Sequence, residues 1–83
     1  MSESHSERSL SLVTRIIASE FGVSAALITP TTVAGDVLGW DSFSHGSLIL
    51  ELENEIGKTL PLERTLEVQT VGELAQLVEE FLP

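Results

Sequence analysis

Apolar residues at Leu10, Val13, Ile16, Ile17 and Phe21 recur at spacings of 3, 3, 1 and 4, which marks one face of a helix. The periodicity starts at about Glu7, and Gly22 just past Phe21 is a stop signal. Ser4 or Ser6 is placed to cap this helix, and the Ser-rich residues 1–6 read as a flexible tail. Residues 22–40 lose the pattern. Pro30, the Thr31-Thr32 pair, Gly35 and Gly39 punctuate them, no clean alternation marks a strand, and loops of this length tend to be functional. Val33, Val37 and Leu38 are the residues expected to plug the loop onto the core.

Helical spacing returns at Asp41 or Ser42 and lasts to about Gly57. Asp41 is a good N-cap, because its carboxylate accepts a backbone N–H from the first turn. Leu48, Leu52 and Ile56 make one face. Phe43, Gly46 and Leu50 make a second, adjacent strip, with Glu51, Glu53 and Glu55 interleaved. Leu60-Pro61 interrupts, since a residue before proline avoids the helical region. Residues 64–67 allow one short helical turn. Thr70-Val71-Gly72-Glu73 has the form of a capping box and opens a last helix over 71–82, with Val71, Leu74, Leu77 or Val78, and Phe81 on its apolar face. The predicted architecture is all-α: a small four-helix bundle with a long first loop and a short third helix, one domain over 7–83.

Composition narrows what such a bundle can do. In 83 residues, 13 acidic side chains stand against 4 basic ones, for a formal charge of −9. A chain this short buries only about 60–65% of its unfolded surface, which leaves little room for a deep active site. It has no cysteine, so it is no disulfide scaffold, thiol enzyme or Cys-type zinc module. The acidity repels phosphate backbones, which argues against nucleic acid and for partners with basic surfaces. The charge is also localised: residues 36–83 carry a net −8 and residues 1–35 a net −1. The longest apolar runs, Ala25–Ile28 and Leu48–Leu50, fall far short of a membrane span. Met-Ser-Glu-Ser-His-Ser-Glu has neither a basic nor an apolar signal region, so the expected location is cytoplasmic.

The segment Gly39-Trp40-Asp41-Ser42-Phe43 carries the candidate chemistry. It puts a primary hydroxyl in the first turn of the acidic helix, where free N–H groups and the helix dipole suit a phosphate. Taken alone, Asp41-Ser42 is more often only a cap. Trp40 packs in a core more often than it recognises a partner, and Phe43 is divided between core edge and docking surface. His45 follows Ser42 by three, so a nucleophile–base pair is conceivable, but nothing supplies an oxyanion hole or a third group. Asp41 and His45 make two metal ligands without a third, so no metal site is expected. His45 is expected to be solvent-exposed beside the serine.

The segment resembles the Asp-Ser-Leu signature of acyl carrier proteins, here Asp41-Ser42-Phe43. The likeness covers roughly residues 7–82: an amphipathic first helix, a long loop, Gly-x-Asp-Ser opening an acidic second helix with Leu48, Leu52, Glu53 and Glu55, then a short third and a capped fourth helix. It implies a four-helix bundle of acyl-carrier type with a 4′-phosphopantetheine arm on Ser42. A phosphopantetheinyl transferase would attach the arm, and its thiol would hold an acyl or aminoacyl cargo as a thioester. It also implies a monomeric carrier that is not itself an enzyme. Its partners would be a loading enzyme and a downstream transferase or synthase. Asp41 would serve transferase recognition, and Trp40, Phe43, Gly46, Leu50, Glu51 and Glu53 would form the partner surface. Gly46, Ser47, Asn54 and Trp40 depart from the residues usual in fatty-acid carriers, which points to a dedicated pathway. Two alternatives stand beside this reading: an unmodified acidic helical interaction module, and a peptidyl or aminoacyl carrier as opposed to a fatty acyl or polyketide one.

Overall fold

The computed structural model describes residues 5–82. Helix α1 (His5–Phe21) begins ahead of the Glu7 expected from the periodicity. The expected caps, Ser4 and the Ser6 side chain, and residues 1–4 of the expected tail lie outside the described residues. Helix α2 (Ser42–Ile56) follows the N-cap Asp41, and Gly57 closes it by donating its N–H to the Glu53 carbonyl at 2.8 Å. Helix α3 (Leu62–Glu67) starts directly after Pro61 and is longer than the single turn expected at 64–67. Helix α4 (Val71–Glu79) is capped by Thr70, whose hydroxyl accepts the Glu73 N–H at 3.1 Å. It ends before the expected Leu82. Phe81 and Leu82 instead donate to carbonyls three residues back, the tighter bonding by which helices often finish.

The described residues form an all-α bundle of four helices without a strand. Three helices supply the core: Val13, Ile16 and Ile17 from α1, Leu48, Ile49 and Leu52 from α2, and Val71, Leu74, Ala75 and Val78 from α4; Ile49 and Ala75 lie outside the expected faces, and the expected Ile56 and Phe81 are only partly buried. Each fully buried Leu or Ile contributes about 1.5–3 kcal/mol relative to an exposed one. Helix α1 packs most extensively on α4 and less on α2, while α3 touches α4.

The long loop is held differently from expectation. Of the three residues expected to plug it, only Val37 is buried; Val33 is partly exposed and Leu38 is 90% exposed. Backbone hydrogen bonds do the anchoring instead. The Val71 N–H donates to the Thr32 carbonyl and the Gly72 N–H to the Pro30 carbonyl, both at 2.8 Å, and Val33 bridges Thr70. Two short 3₁₀ turns, Ala25–Leu27 and Ala34–Asp36, fold the rest, and Ile28 supplies an apolar contact to the core. Gly72 makes this anchoring possible. A Cβ there would stand 2.9 Å from the Pro30 carbonyl oxygen, closer than real Cβ contacts come.

Candidate functional site

The serine segment is fixed by a dense set of local bonds. Gly39 turns the chain with φ of +94°, a conformation that side-chain-bearing residues rarely adopt. Asp41 then caps α2: its carboxylate accepts the Ser44 N–H at 2.9 Å, and the Ser44 hydroxyl accepts the Asp41 N–H at 2.8 Å. The Ser44 hydroxyl donates to the Gly39 carbonyl at 2.6 Å. The Ser44 backbone N–H holds the Asp41 carboxyl below the usual carboxylate range, with a smaller contribution from the Ser44 side chain. Ser44 is a structural partner that the sequence reading missed. The signal was a polar residue three after the cap, with serine in place of the usual Glu or Gln.

This reciprocal box leaves Ser42 as the first residue of α2, exposed to solvent. Its hydroxyl makes no hydrogen bond with the described residues. A cleft of about 270 Å³ opens beside it, bounded by Trp40 and His45 on one side and by Thr65, Leu66 and Val68 on the other. Several apolar side chains are exposed on α2 and α3. Phe43 is 86% exposed, and Leu50 two turns further along α2 is 62% exposed. Glu51 is exposed beside Leu50, and Gly46 lies between the two apolar residues with open space where a side chain would stand. Helix α3 adds Leu62 and Leu66, both exposed, which the sequence reading did not single out.

Other expected surface residues are engaged within the fold. The Trp40 indole is half-buried, stacked on Phe21 with ring centres 5.5 Å apart. Glu53 accepts the Leu60 N–H at 2.7 Å and so tethers the α2–α3 connection. His45 is a correction: expected in solvent, it is only 8% exposed. Its Nδ1 accepts the Trp40 Nε1–H and its Nε2 meets the Thr65 hydroxyl, each at 3.2 Å. The physical reason is its place on α2. Three residues before Leu48 and four before Ile49, it shares their inward face, and two polar partners satisfy its ring there. Burial pushes the imidazole below its ordinary value, opposed by the Thr65 backbone. Both nitrogens are committed away from Ser42, so the geometry offers no nucleophile–base pair. Among the described residues no group of three His, Asp or Glu side chains is arranged to hold a metal.

An exposed, unengaged hydroxyl at the start of a helix, with an adjoining cleft, suits a phosphate ester that bears a long flexible substituent. The helix dipole and the N–H groups of the first turn favour the anion. No helix among the described residues is long and apolar enough to cross a membrane. Residues 11–78, spanning all of α2 and α3 and most of α1 and α4, match the family model described as the phosphopantetheine attachment site. The chain therefore belongs to the phosphopantetheine-attachment family of non-catalytic carrier domains, which bear a covalent 4′-phosphopantetheine and work with phosphopantetheinyl transferases and biosynthetic enzymes.

Proposed function

We propose that Ser42 is the attachment residue and that the chain is a monomeric cytoplasmic carrier of acyl or aminoacyl cargo for a dedicated biosynthetic pathway. One observation carries the reading: within the matched segment, Ser42 is exposed in the first turn of α2 with its hydroxyl unengaged. The arm, once attached, supplies the thiol that binds cargo as a thioester, which a chain without cysteine cannot supply itself.

The protein's own residues position and present. Asp41 and Ser44 fix the start of α2 and keep the serine facing outward. Phe43 and Leu50 offer apolar anchors to a partner, and Glu51 with the other acids of residues 36–83 draws in basic rims. Encounter with partners then quickens at low salt and slows as salt is added. Trp40 supports this surface from beneath, and Glu53 shapes it by holding the α2–α3 connection. The departures at Gly46, Ser47 and Asn54 favour partners other than the fatty-acid enzymes.

Intact-mass measurement after incubation with coenzyme A and a broad-specificity transferase tests the assignment. A gain of one phosphopantetheine that is absent in Ser42→Ala supports it. Absence of any gain with several competent transferases overturns it and favours the unmodified interaction module. The cargo class follows from the mass of the thioester-bearing arm isolated from the native host.

A further inference from the structure

The buried imidazole of His45 has a role to account for. A tryptophan indole only donates, so His45 Nδ1 must be an acceptor, and the proton of the neutral ring sits on Nε2. Nε2–H then donates to the Thr65 hydroxyl, whose own proton goes to the Leu62 carbonyl at 2.7 Å. The result is a one-way relay from the loop, through α2, into α3: Trp40 to His45 to Thr65 to Leu62. Thr65 is fully buried, and the Trp40 and His45 rings are stacked with centres 6.2 Å apart. Trp40, His45 and Thr65 all line the cleft beside Ser42.

We infer that His45 is a positioning residue for Ser42: in its neutral form it clips Trp40 to Thr65 and so holds the loop and α3 at the spacing that keeps the cleft beside the serine formed. This rests on the reading of Ser42 as the attachment residue. A proton taken from solvent onto Nδ1 turns that atom into a donor facing the indole N–H, and the clip opens between loop and ring. The charged groups around the ring leave this titration to His45 itself. Asp41, one turn earlier on α2, is the only charged residue lining the cleft, and its carboxylate is held by Ser44. On α3, Glu63, Arg64 and Glu67 are exposed, and Arg64 is forked onto Glu80. Segment 68–70 carries no charge, the turn Ala34–Asp36 lines the cleft through Ala34 and carries Asp36, which is exposed, and from α1 the Phe21 ring stacks on Trp40. Burial lowers the imidazole from its ordinary value, and the Thr65 backbone opposes this.

Trp40 is the only tryptophan in the chain, so its indole N–H resonance reports the clip directly. The test follows that resonance in the unmodified protein from pH 7.5 downward, in wild type and in His45→Gln, whose amide offers an acceptor and a donor but does not titrate. The expected result is a wild-type shift with a midpoint below the ordinary histidine value, absent in His45→Gln. In parallel, the ratio of wild-type to His45→Gln modification rates by one transferase is taken at each pH, which cancels the transferase's own profile. That ratio should fall as the indole titrates. An indole that does not titrate in wild type, or that titrates identically in His45→Gln, overturns the clip. A titrating indole with a flat rate ratio overturns its role at Ser42. Absence of modification in both proteins counts against the attachment residue, and the indole titration still reads the clip.

Discussion

Helices α2 and α4 both start from a side-chain cap, but the contacts that hold the rest of each junction differ. Where the long loop meets α4, backbone binds backbone: Thr32 and Pro30 carbonyls accept the first N–H groups of α4, and Gly72 lets the chains close to within hydrogen-bond distance. Behind this junction lie Val71, Leu74 and Val78, all fully buried. Where α2 begins, side chains do the holding. Asp41 is bound by Ser44, Trp40 by His45 and His45 by Thr65, and the outer surface carries Phe43, Leu62 and Leu66 in solvent. Exposed apolar side chains stabilise little, so Phe43 next to Ser42 and Leu66 across the cleft are available to a partner, while the buried side chains behind the α4 junction stabilise the fold.

The largest expected effect sets one leucine from each region against the other. Leu74→Ala should cost about 2–5 kcal/mol by urea unfolding, since it leaves a cavity in the packed interior. Leu66→Ala should stay within about 0.5 kcal/mol, because its side chain is 62% exposed. Phe43→Ala should likewise leave stability intact while lowering the transferase's kcat/KM. If Leu66→Ala proved as costly as Leu74→Ala, α3 would belong to the core and the division would fail.

Two helical glycines sharpen the contrast with a single substitution. Gly72→Ala forces a Cβ against the Pro30 carbonyl and should destabilise by about 1–3 kcal/mol. Gly46→Ala meets nothing within 4 Å and should stabilise α2 by up to about 1 kcal/mol through helix propensity. The two midpoints should move in opposite directions in the same urea titration.

These pairs also show what the sequence makes legible. The stripes through Val13, Ile17, Leu48, Leu52 and Leu74 follow from spacing alone, because burial on one face leaves a periodic trace. The capped starts at Asp41 and Thr70 are local and equally readable. Three features left no such trace. Gly72 reads as a tolerated helical glycine until Pro30 is brought against it by the loop. Leu38 reads as a plug because apolarity does not distinguish a buried residue from an exposed one. His45 reads as surface because its partners lie five residues before it and twenty after it. For the site, Ser42 is legible as a hydroxyl at a helix start and Trp40 as a packing residue, whereas its partners Phe21 and His45 and the cleft depend on how the elements dock.

Acid should loosen the serine end in two steps. His45 in the native chain lies below its ordinary value, so the unfolded chain binds the proton more readily. Its contribution is fully present above pH about 6.5 and is lost as pH falls toward the native value. Asp41 is also lowered, by the Ser44 bonds, so its contribution is present above pH about 3.9 and is lost on further acidification through its native value. Urea midpoints measured against pH should show the upper step vanish in His45→Gln and the lower step shrink in Asp41→Asn.

The smallest effect concerns the outer tie between α3 and α4. Arg64 forks its two terminal guanidinium nitrogens onto the Glu80 carboxylate, at 2.8 and 2.6 Å, which raises the arginine and lowers the glutamate from their ordinary values. Both side chains are about half exposed, at 50% and 51%, so water and salt screen the pair and its contribution is small. Geometry makes it specific all the same, because a planar fork matches a carboxylate and an ammonium does not. Arg64→Lys should therefore lose most of what Arg64→Ala loses, though it keeps the charge. Thermal unfolding in low salt should resolve that order, and high salt should erase the difference among all three proteins. If Arg64→Lys instead matched wild type at low salt, plain charge attraction would suffice. The geometry-specific hold on α3 would then come from the Thr65 bond to His45 on α2, with the outer tie to α4 acting through charge alone.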